Sequence, residues 1–517
     1  MQIDTINFLC AALATSTRYV WLAPLLPLLA ALLIALPMLF GRATSDEQEP
    51  DIAGLASGAA LGTLLLLLAF DLVVLGAGGS VTVTLADWMR VETVPLRLSF
   101  ILDRTSLPFA TLIALIGWIV LRFSASYLHR EMGFRRFFAV MSFFLSGMLL
   151  IVLSGNLVLT FVGWEMVGLS SWLLIGYAWE RPQASGNALF VFLTQRIGDS
   201  AFLLGVGLAI WLTHSAEWSA LAGGVALPTG AARLLALGFV VAALVKSAQL
   251  PFSPWIARAL EGPTPSSAIF YGSLMLHAGV YLVLRLEPLL VQIPDVLALI
   301  TVIGLATALY AHLCALVQSD VKSALVFASL TQVGLMFFAC GLGLFELAAW
   351  HLCLHAAWRA YQFLLAPAYL QLVRQPTRPV PRWLAVHHRL YTAVVHGFWI
   401  ESLAHNLLTR PTLALGSDMR ALDERVIDPL IGVPRADQHG AQNDAHDAIR
   451  AHGIAERILL DLADHLQRLE TRLLLSGDGA LQQALRRAGT YMETLEVLLE
   501  QPRYLMLMVM ATFVVIL

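Results

Sequence analysis

The chain has 517 residues, of which 58% are hydrophobic and only 13% charged, with a mean hydropathy of +0.75. That balance excludes an ordinary soluble enzyme and calls for a polytopic membrane protein embedded in lipid. A net charge of -3 without any long basic run argues against a nucleic-acid partner.

The four cysteines, Cys10, Cys314, Cys340 and Cys353, lack CxxC spacing and mostly fall in apolar runs. Neither a disulfide framework nor an iron–sulfur cluster is expected, and no cofactor is expected in this chain. The first long apolar run, Val20 to Phe40, has no small-residue cleavage site, so no removable signal peptide is expected.

In chain order, residues 1–19 are mixed and suit a short amphipathic lead-in. Apolar spans are predicted at about 20–40, 54–76 and 105–128. Between the second and third, VTVTLADWMRVETVPLRLSF alternates apolar and polar residues on both sides of Met89, as a small external β-hairpin does. Further spans fall near 137–154, 157–178, 187–213, 232–249, 266–286, 295–317, 321–343 and 345–372. The seventh of the full set continues as a broken half to residue 261, interrupted by Pro251 and Pro254.

Arg130, Arg135 and Arg136 follow the third span, and Arg374, Arg378, Arg382 and Arg389 follow the eleventh. Both loops lie on one side, which the positive-inside rule assigns to the cytoplasm, leaving the hairpin and the N-terminus outside an inner (cytoplasmic) membrane. Beyond residue 372 the chain turns polar. Ile454, Ile458, Leu462, Leu466, Leu469 and Leu473 recur at helical spacing there, as in a surface helix lying on lipid or on a neighbouring subunit. A last apolar run, Tyr504 to Leu517, reaches about 21 Å as a helix and barely spans a bilayer.

The expected fold is therefore an all-α polytopic membrane protein of about 11–12 transmembrane helices, with a broken lysine-bearing helix, the hairpin and a C-terminal amphipathic helix. Its expected divisions are 1–130 (first helices and hairpin), 131–372 (translocation core), 373–502 (polar and amphipathic) and 503–517 (terminal apolar helix).

Only two of the 32 Lys plus Arg residues are lysines, Lys246 and Lys322, and both sit in apolar segments. A desolvated lysine can shed its proton, whereas arginine keeps its own, so proton chemistry is expected at these two positions. The competing explanation is an arginine-rich composition with lysines that merely pair with helix ends or carboxylates.

Glu165 is a carboxylate in the apolar span FVGWEMVGLSSWLLIGY. Placed beside Lys246 it would hold the lysine protonated, and its withdrawal would favour release, a two-state gate. A static buried ion pair that fixes helix packing is the alternative. His351 and His355 share one helix face, which Arg359 and Gln362 extend into a polar stripe, so a relay is expected there. A zinc site is the rival for HxxxH, but no third ligand accompanies it and no metal is expected. Lys322, beside Asp320, suits a bridge between Lys246 and the histidines, with snorkelling at a helix end as the alternative. Arg196 and Asp199 are spaced to pair along their own helix, a structural role near Glu165. Thr264, Ser267, Tyr271 and His277 are placed to hold water between the two lysines.

Four stretches carry a resemblance: RRFFAVMSFFLSGMLLIVLSGNLVLTFVGWEMVGLSSWLLIGY, KSAQLPFSPWIARALEGPTPSSAIFYGSLMLHAGVYLVLR, SDVKSALVFASLTQVGLMFF and HLCLHAAWRAYQFLL. They resemble the antiporter-like subunits of respiratory complex I, most closely NADH-quinone oxidoreductase subunit L, and the Mrp-type antiporter subunits. The resemblance covers roughly residues 95 to 370, and KSAQLPF and GPTP are its most specific parts. It implies two inverted repeats, a Glu165–Lys246 pair, a bridging Lys322, and His351 and His355 on a hydrated axis. Quinone, flavin and clusters are then expected in other subunits.

The chain departs from that pattern at Tyr271, where the family usually has histidine, and at Arg359, where it often has lysine. It also runs from Leu372 into polar sequence where a second broken helix is expected. Three functions follow as expectations: a proton-translocating subunit of a complex-I-like assembly, the proton-conducting B subunit of a DAB-type inorganic-carbon pump paired with a zinc-bearing carbonic-anhydrase-like partner, or a non-conducting structural subunit.

Overall fold

A computed structural model describes residues 17–40, 46–75, 79–91, 94–222, 228–372 and 379–422. The predicted lead-in before residue 17, the amphipathic helix around 454–473 and the terminal run at 504–517 lie outside the described residues. The chain forms two compact units, Met1–Thr409 and Arg410–Leu517. Of the second, the described part is one helix, Arg410–Leu422.

Among the described residues, ten helical stretches are long and apolar enough to cross a membrane. They comprise α1 (Leu22–Leu39), α2 (Glu49–Phe70), α3 (Ser106–Tyr127), α4 (Phe134–Leu153), α5 (Leu157–Ile175) and α6 (Pro182–Thr213). After these come α7 (Thr229–Lys246), the segment Thr264–Arg285, α11 (Pro294–Ala315) and α12 (Val321–Gly341). Between α7 and that segment stands the four-residue α8 (Trp255–Arg258), and the segment itself opens as α9 (Thr264–Ser267) and closes as α10 (Met275–Arg285). An eleventh, more polar helix, α13 (Phe345–Leu372), has 28 residues and is also long enough to span. In lipid every backbone polar group must find a partner within the protein, and helices meet that demand.

The segment Thr264–Arg285 is buried up to its last residue, Arg285, and α4 is mostly so. Around them α1 packs on α4, α4 on α5, α6 on α7, α7 on α10, and α11 on α12, which in turn meets α13. Small residues set the closest approaches. A Cβ at Gly304 would stand 2.5 Å from the Phe338 amide nitrogen, and one at Gly334 would stand 2.7 Å from that of Ala308, so α11 and α12 touch backbone to backbone.

The expected hairpin is present as β1 (Val81–Val91) paired antiparallel with β2 (Val94–Leu102), with Val91 opposite Val94. Register shifts at Thr84/Ala86 and Asp87/Met89 interrupt the strict alternation along β1. The hairpin is tied to the helix ends. Gly155 donates its amide to Ser99 O at 2.7 Å, and Ser99 Oγ donates to Glu217 Oε2 at 2.8 Å. Asn156 caps α5 by accepting from the Leu159 amide at 2.8 Å.

The polar stretch after α13 also folds onto the helices. Short α14 (His388–Val395) and α15 (Ile400–Ala404) lie within the first unit, and Arg258 Nε donates to Glu401 Oε1 at 2.8 Å. Between them Gly397, Phe398 and Trp399 all adopt positive φ, and the Phe398 ring packs 5.9 Å from Tyr310.

Candidate functional site

The helix α7 stops at Lys246 because the next turn cannot continue through Pro251 and Pro254. Several of the backbone groups released there find partners. Val245 O accepts the Trp255 indole N–H at 2.9 Å, and Gln249 N donates to Leu244 O at 2.8 Å. The Leu250 amide donates to Thr307 Oγ1 on α11 at 3.0 Å, and Ser247 Oγ donates to Leu276 O at 2.7 Å. The Leu250–Pro251 peptide is cis. The break is thus a built feature that holds the lysine at the end of a helix inside the protein.

Lys246 is 1% exposed, and its direct carboxylate is Asp199 on α6, with Nζ to Oδ1 at 3.6 Å. Arg196, one turn back on α6, pairs with Asp199 at 2.7 Å and with Glu165 on α5 at 2.7 Å. Four charges therefore alternate in a row: Glu165, Arg196, Asp199, Lys246. Glu165 and Lys246, expected as direct partners, meet through the two residues between them. Arg196 and Asp199, read from the sequence as a pair along one helix, do pair that way, and Asp199 also reaches the lysine. Lys246 Nζ further donates to Trp164 O at 3.4 Å and sits 4.8 Å from the centre of the Trp164 ring. A Cβ on Gly168 would stand 3.4 Å from Lys246 Nζ and 3.5 Å from Arg196 Nη2, so the two cations converge on this point of α5.

A second polar group lies where Thr264–Arg285 meets α13. After α9, the chain takes one π-helical turn, Ala268–Ser273, in which the Leu274 amide bonds back to Ile269 O at 2.8 Å. Past this turn the buried His277, on α10, places Nε2 3.0 Å from His355 Nδ1. Arg359 Nε donates to His355 Nε2 at 3.1 Å, which makes that nitrogen an acceptor. In neutral rings the His355 proton then sits on Nδ1 and is donated to His277, whose own proton is on Nδ1. That nitrogen has no hydrogen-bond partner among the described residues. His351 turns towards α12 and meets Gln332 Oε1 at 3.0 Å, with its ring centre 5.9 Å from that of His355.

The other predicted site residues separate from these groups. Tyr271 bonds to Ser171 on α5 at 3.2 Å and packs edge-on against Trp255. Lys322 lies half-buried in the first turn of α12, whose N-cap is Asp320, and its electrostatic neighbours are Asp320 and Glu261. Among the described residues no hydrogen bond or ion pair joins Lys322 to Lys246 or to a histidine. No cluster of three or more His, Cys, Asp or Glu side chains is placed to hold a metal ion among those residues either.

Residues 154–384 match the model described as NADH:quinone oxidoreductase/Mrp antiporter, TM. Residues 88–138 match that of the NADH-ubiquinone oxidoreductase (complex I) chain 5 N-terminus. The chain belongs to the NADH:quinone oxidoreductase/Mrp antiporter family. Chloroplastic NAD(P)H-quinone oxidoreductase subunit 5 of Zygnema circumcarinatum is 35% identical over 360 residues, covering 67% of this chain and 50% of that protein. NADH-ubiquinone oxidoreductase chain 5 of Dugong dugon is 38% identical over 277 residues, 54% of this chain and 45% of that one. The Mrp complex from Dietzia sp. DQ12-45-1b superposes with a TM-score of 0.56 at 25% identity, covering 73% of this chain and 39% of that one. The archaeal membrane-bound sulfane sulfur reductase shares the fold, with a TM-score of 0.58 at 20% identity over 69% of this chain and 72% of that one. The chain spans about half the length of the subunit 5 relatives it matches.

Within this antiporter-family core, sequence reasoning missed several polar partners. Gln332 receives His351, while Gln195 and Gln249 are buried amides with atoms that lack a hydrogen-bond partner among the described residues, as does the Ser253 hydroxyl; the Ser267 hydroxyl, expected from the sequence to hold water, is unpartnered among them too. Such groups are bonding sites for internal water. The signal was available: an amide inside an apolar span, such as Gln195, Gln249 or Gln332, is as out of place as a charge.

Proposed function

We propose that the chain is a proton-translocating membrane subunit of a larger energy-coupling assembly, working in the bacterial-type inner membrane with its N-terminus outside. The observation that carries this reading is the alternating row Glu165–Arg196–Asp199–Lys246, ending on a titratable amine at a broken helix. An internal amine exchanges its proton when the balance of its neighbours changes. Here that balance is set by Asp199 and, one step removed, by whether Glu165 or Asp199 holds Arg196. His277, His355 and His351 supply imidazoles whose two ring nitrogens can accept a hydrogen on one side and donate on the other, which suits a relay. Arg359 keeps its proton, so it orients His355 and ends that branch, leaving His351 as the way onward. Lys322 would take part through water, since no direct contact links it to either group.

On this reading redox groups sit in other subunits and residues 131–372 are the working core. A second arrangement has one sequence observation behind it. Both lysines precede residue 323, and residues 323–517 contain none. One set of proton groups would suffice to drive a zinc-containing, carbonic-anhydrase-like partner of an inorganic-carbon pump, and bound zinc in the purified assembly would separate that case.

The test is proton uptake into liposomes holding the purified assembly. Lys246→Met should reduce flux by about tenfold or more while the subunits stay together. Undiminished flux in that variant would sink the reading.

A further inference from the structure

The helix α13 carries two faces of opposite character. One holds the polar stripe of His351, His355, Arg359 and Gln362. The other exposes Leu347, Trp350, Leu354, Trp358, Tyr361 and Leu365, which are 41–70% accessible and recur every three or four residues. Aromatic belts belong at the two membrane surfaces, yet Trp358 lies about 20 Å along the helix, near the middle of a span. The Trp350 and Trp358 indoles have no hydrogen-bond acceptor among the described residues. Trp, Tyr and Arg are also the residues that anchor protein interfaces.

Beside this face Arg359 is 9% exposed and has no carboxylate within 4 Å among the described residues. Its Nε is engaged by His355 and its Nη1 by Gln362 at 2.7 Å, and its Nη2 makes no hydrogen bond among the described residues. Contrast Arg196, held between two carboxylates, and Arg285, which grips Asp103 with two nitrogens. A buried guanidinium at membrane depth calls for a counter-charge. The chain's own apolar run at 504–517 contains no acidic residue and cannot supply one.

We propose that the outer face of α13 is the docking surface for a transmembrane helix of a neighbouring subunit, and that this helix carries an aspartate or glutamate at the depth of Arg359. Its apolar side covers the Trp350–Leu365 stripe, and its carboxylate completes the Arg359 fork. This rests on the subunit reading above, but assembly and proton flux are measured apart, so either can fail alone.

A photo-reactive benzoylphenylalanine placed at Leu354 of the full-length chain, in the membranes of its own cells, provides the test, with cross-linked peptides identified by mass spectrometry. The expected product is one peptide from a different membrane subunit, from a transmembrane helix containing Asp or Glu. Cross-links to residues 423–517, to a second copy of this chain, or to lipid alone would overturn the proposal. Arg359→Glu should lower recovery of that subunit with the tagged chain by about tenfold or more, and exchanging the identified acid for arginine should restore it. Undiminished recovery in the single variant, or no rescue in the exchange, would equally overturn it, and rescue excludes simple misfolding.

Discussion

Asp199 and Glu165 are both carboxylates in apolar helices, but they stand at different removes from the amine. Asp199 touches Lys246, while Glu165 acts through Arg196. Asp199→Asn should therefore disturb the lysine more than Glu165→Gln, cutting flux by about tenfold or more against a smaller loss. Equal losses, measured side by side in liposomes, would mean that distance along the row is irrelevant. The lysine itself was legible, since an amine in an arginine-using chain announces itself. Its partner was not, because Arg196 and Asp199 at i and i+3 already account for each other along α6. Nothing in helical spacing says that Asp199 also reaches a residue on α7.

Among the elements, the broken helix could be read from Pro251 and Pro254, but the π-helical turn at 268–273 could not. An extra residue in one turn leaves no mark on an apolar stretch that is buried all round, and that turn precedes the residue, His277, that meets His355. Tight helix contact makes a further expectation. A Cβ at Gly279 would stand 2.3 Å from Ala243 O and 2.3 Å from Ser247 Oγ, on the last turn before the break. Backbone cannot yield there, so Gly279→Ala should push α10 from α7 and cost about 1–3 kcal/mol. A lower melting temperature in detergent is the readout, and an unchanged one would show that the two helices separate freely.

For the molecule as a whole, the hairpin end is joined to the buried centre by one polar knot. Arg285 grips Asp103 at 2.5 and 3.3 Å and donates to Tyr281, whose hydroxyl donates to Val152 O at 2.5 Å. Burial opposes ionisation of Asp103, but Arg285 and the Ser106 and Thr105 amides outweigh it and hold the carboxyl below its usual range. A carboxylate with a lowered folded pKa adds stability above about pH 4 and loses it as pH falls through the folded value. Asp103→Asn should cost about 1–3 kcal/mol at pH 7, and its melting deficit should shrink in acid; a deficit independent of pH would assign the effect to shape.

Span order and the hairpin were visible from hydropathy and alternation. The return of residues 382–409 onto the helices was not, because its contacts are scattered single residues such as Glu401 and Phe398 with no period. The most direct measurement is proton flux with Lys246→Arg in the reconstituted assembly. That variant keeps a positive charge beside Asp199 but removes the exchangeable proton. The account expects flux to fall by about tenfold or more with the assembly intact; flux equal to wild type would contradict it, because position 246 would then serve only as a fixed charge.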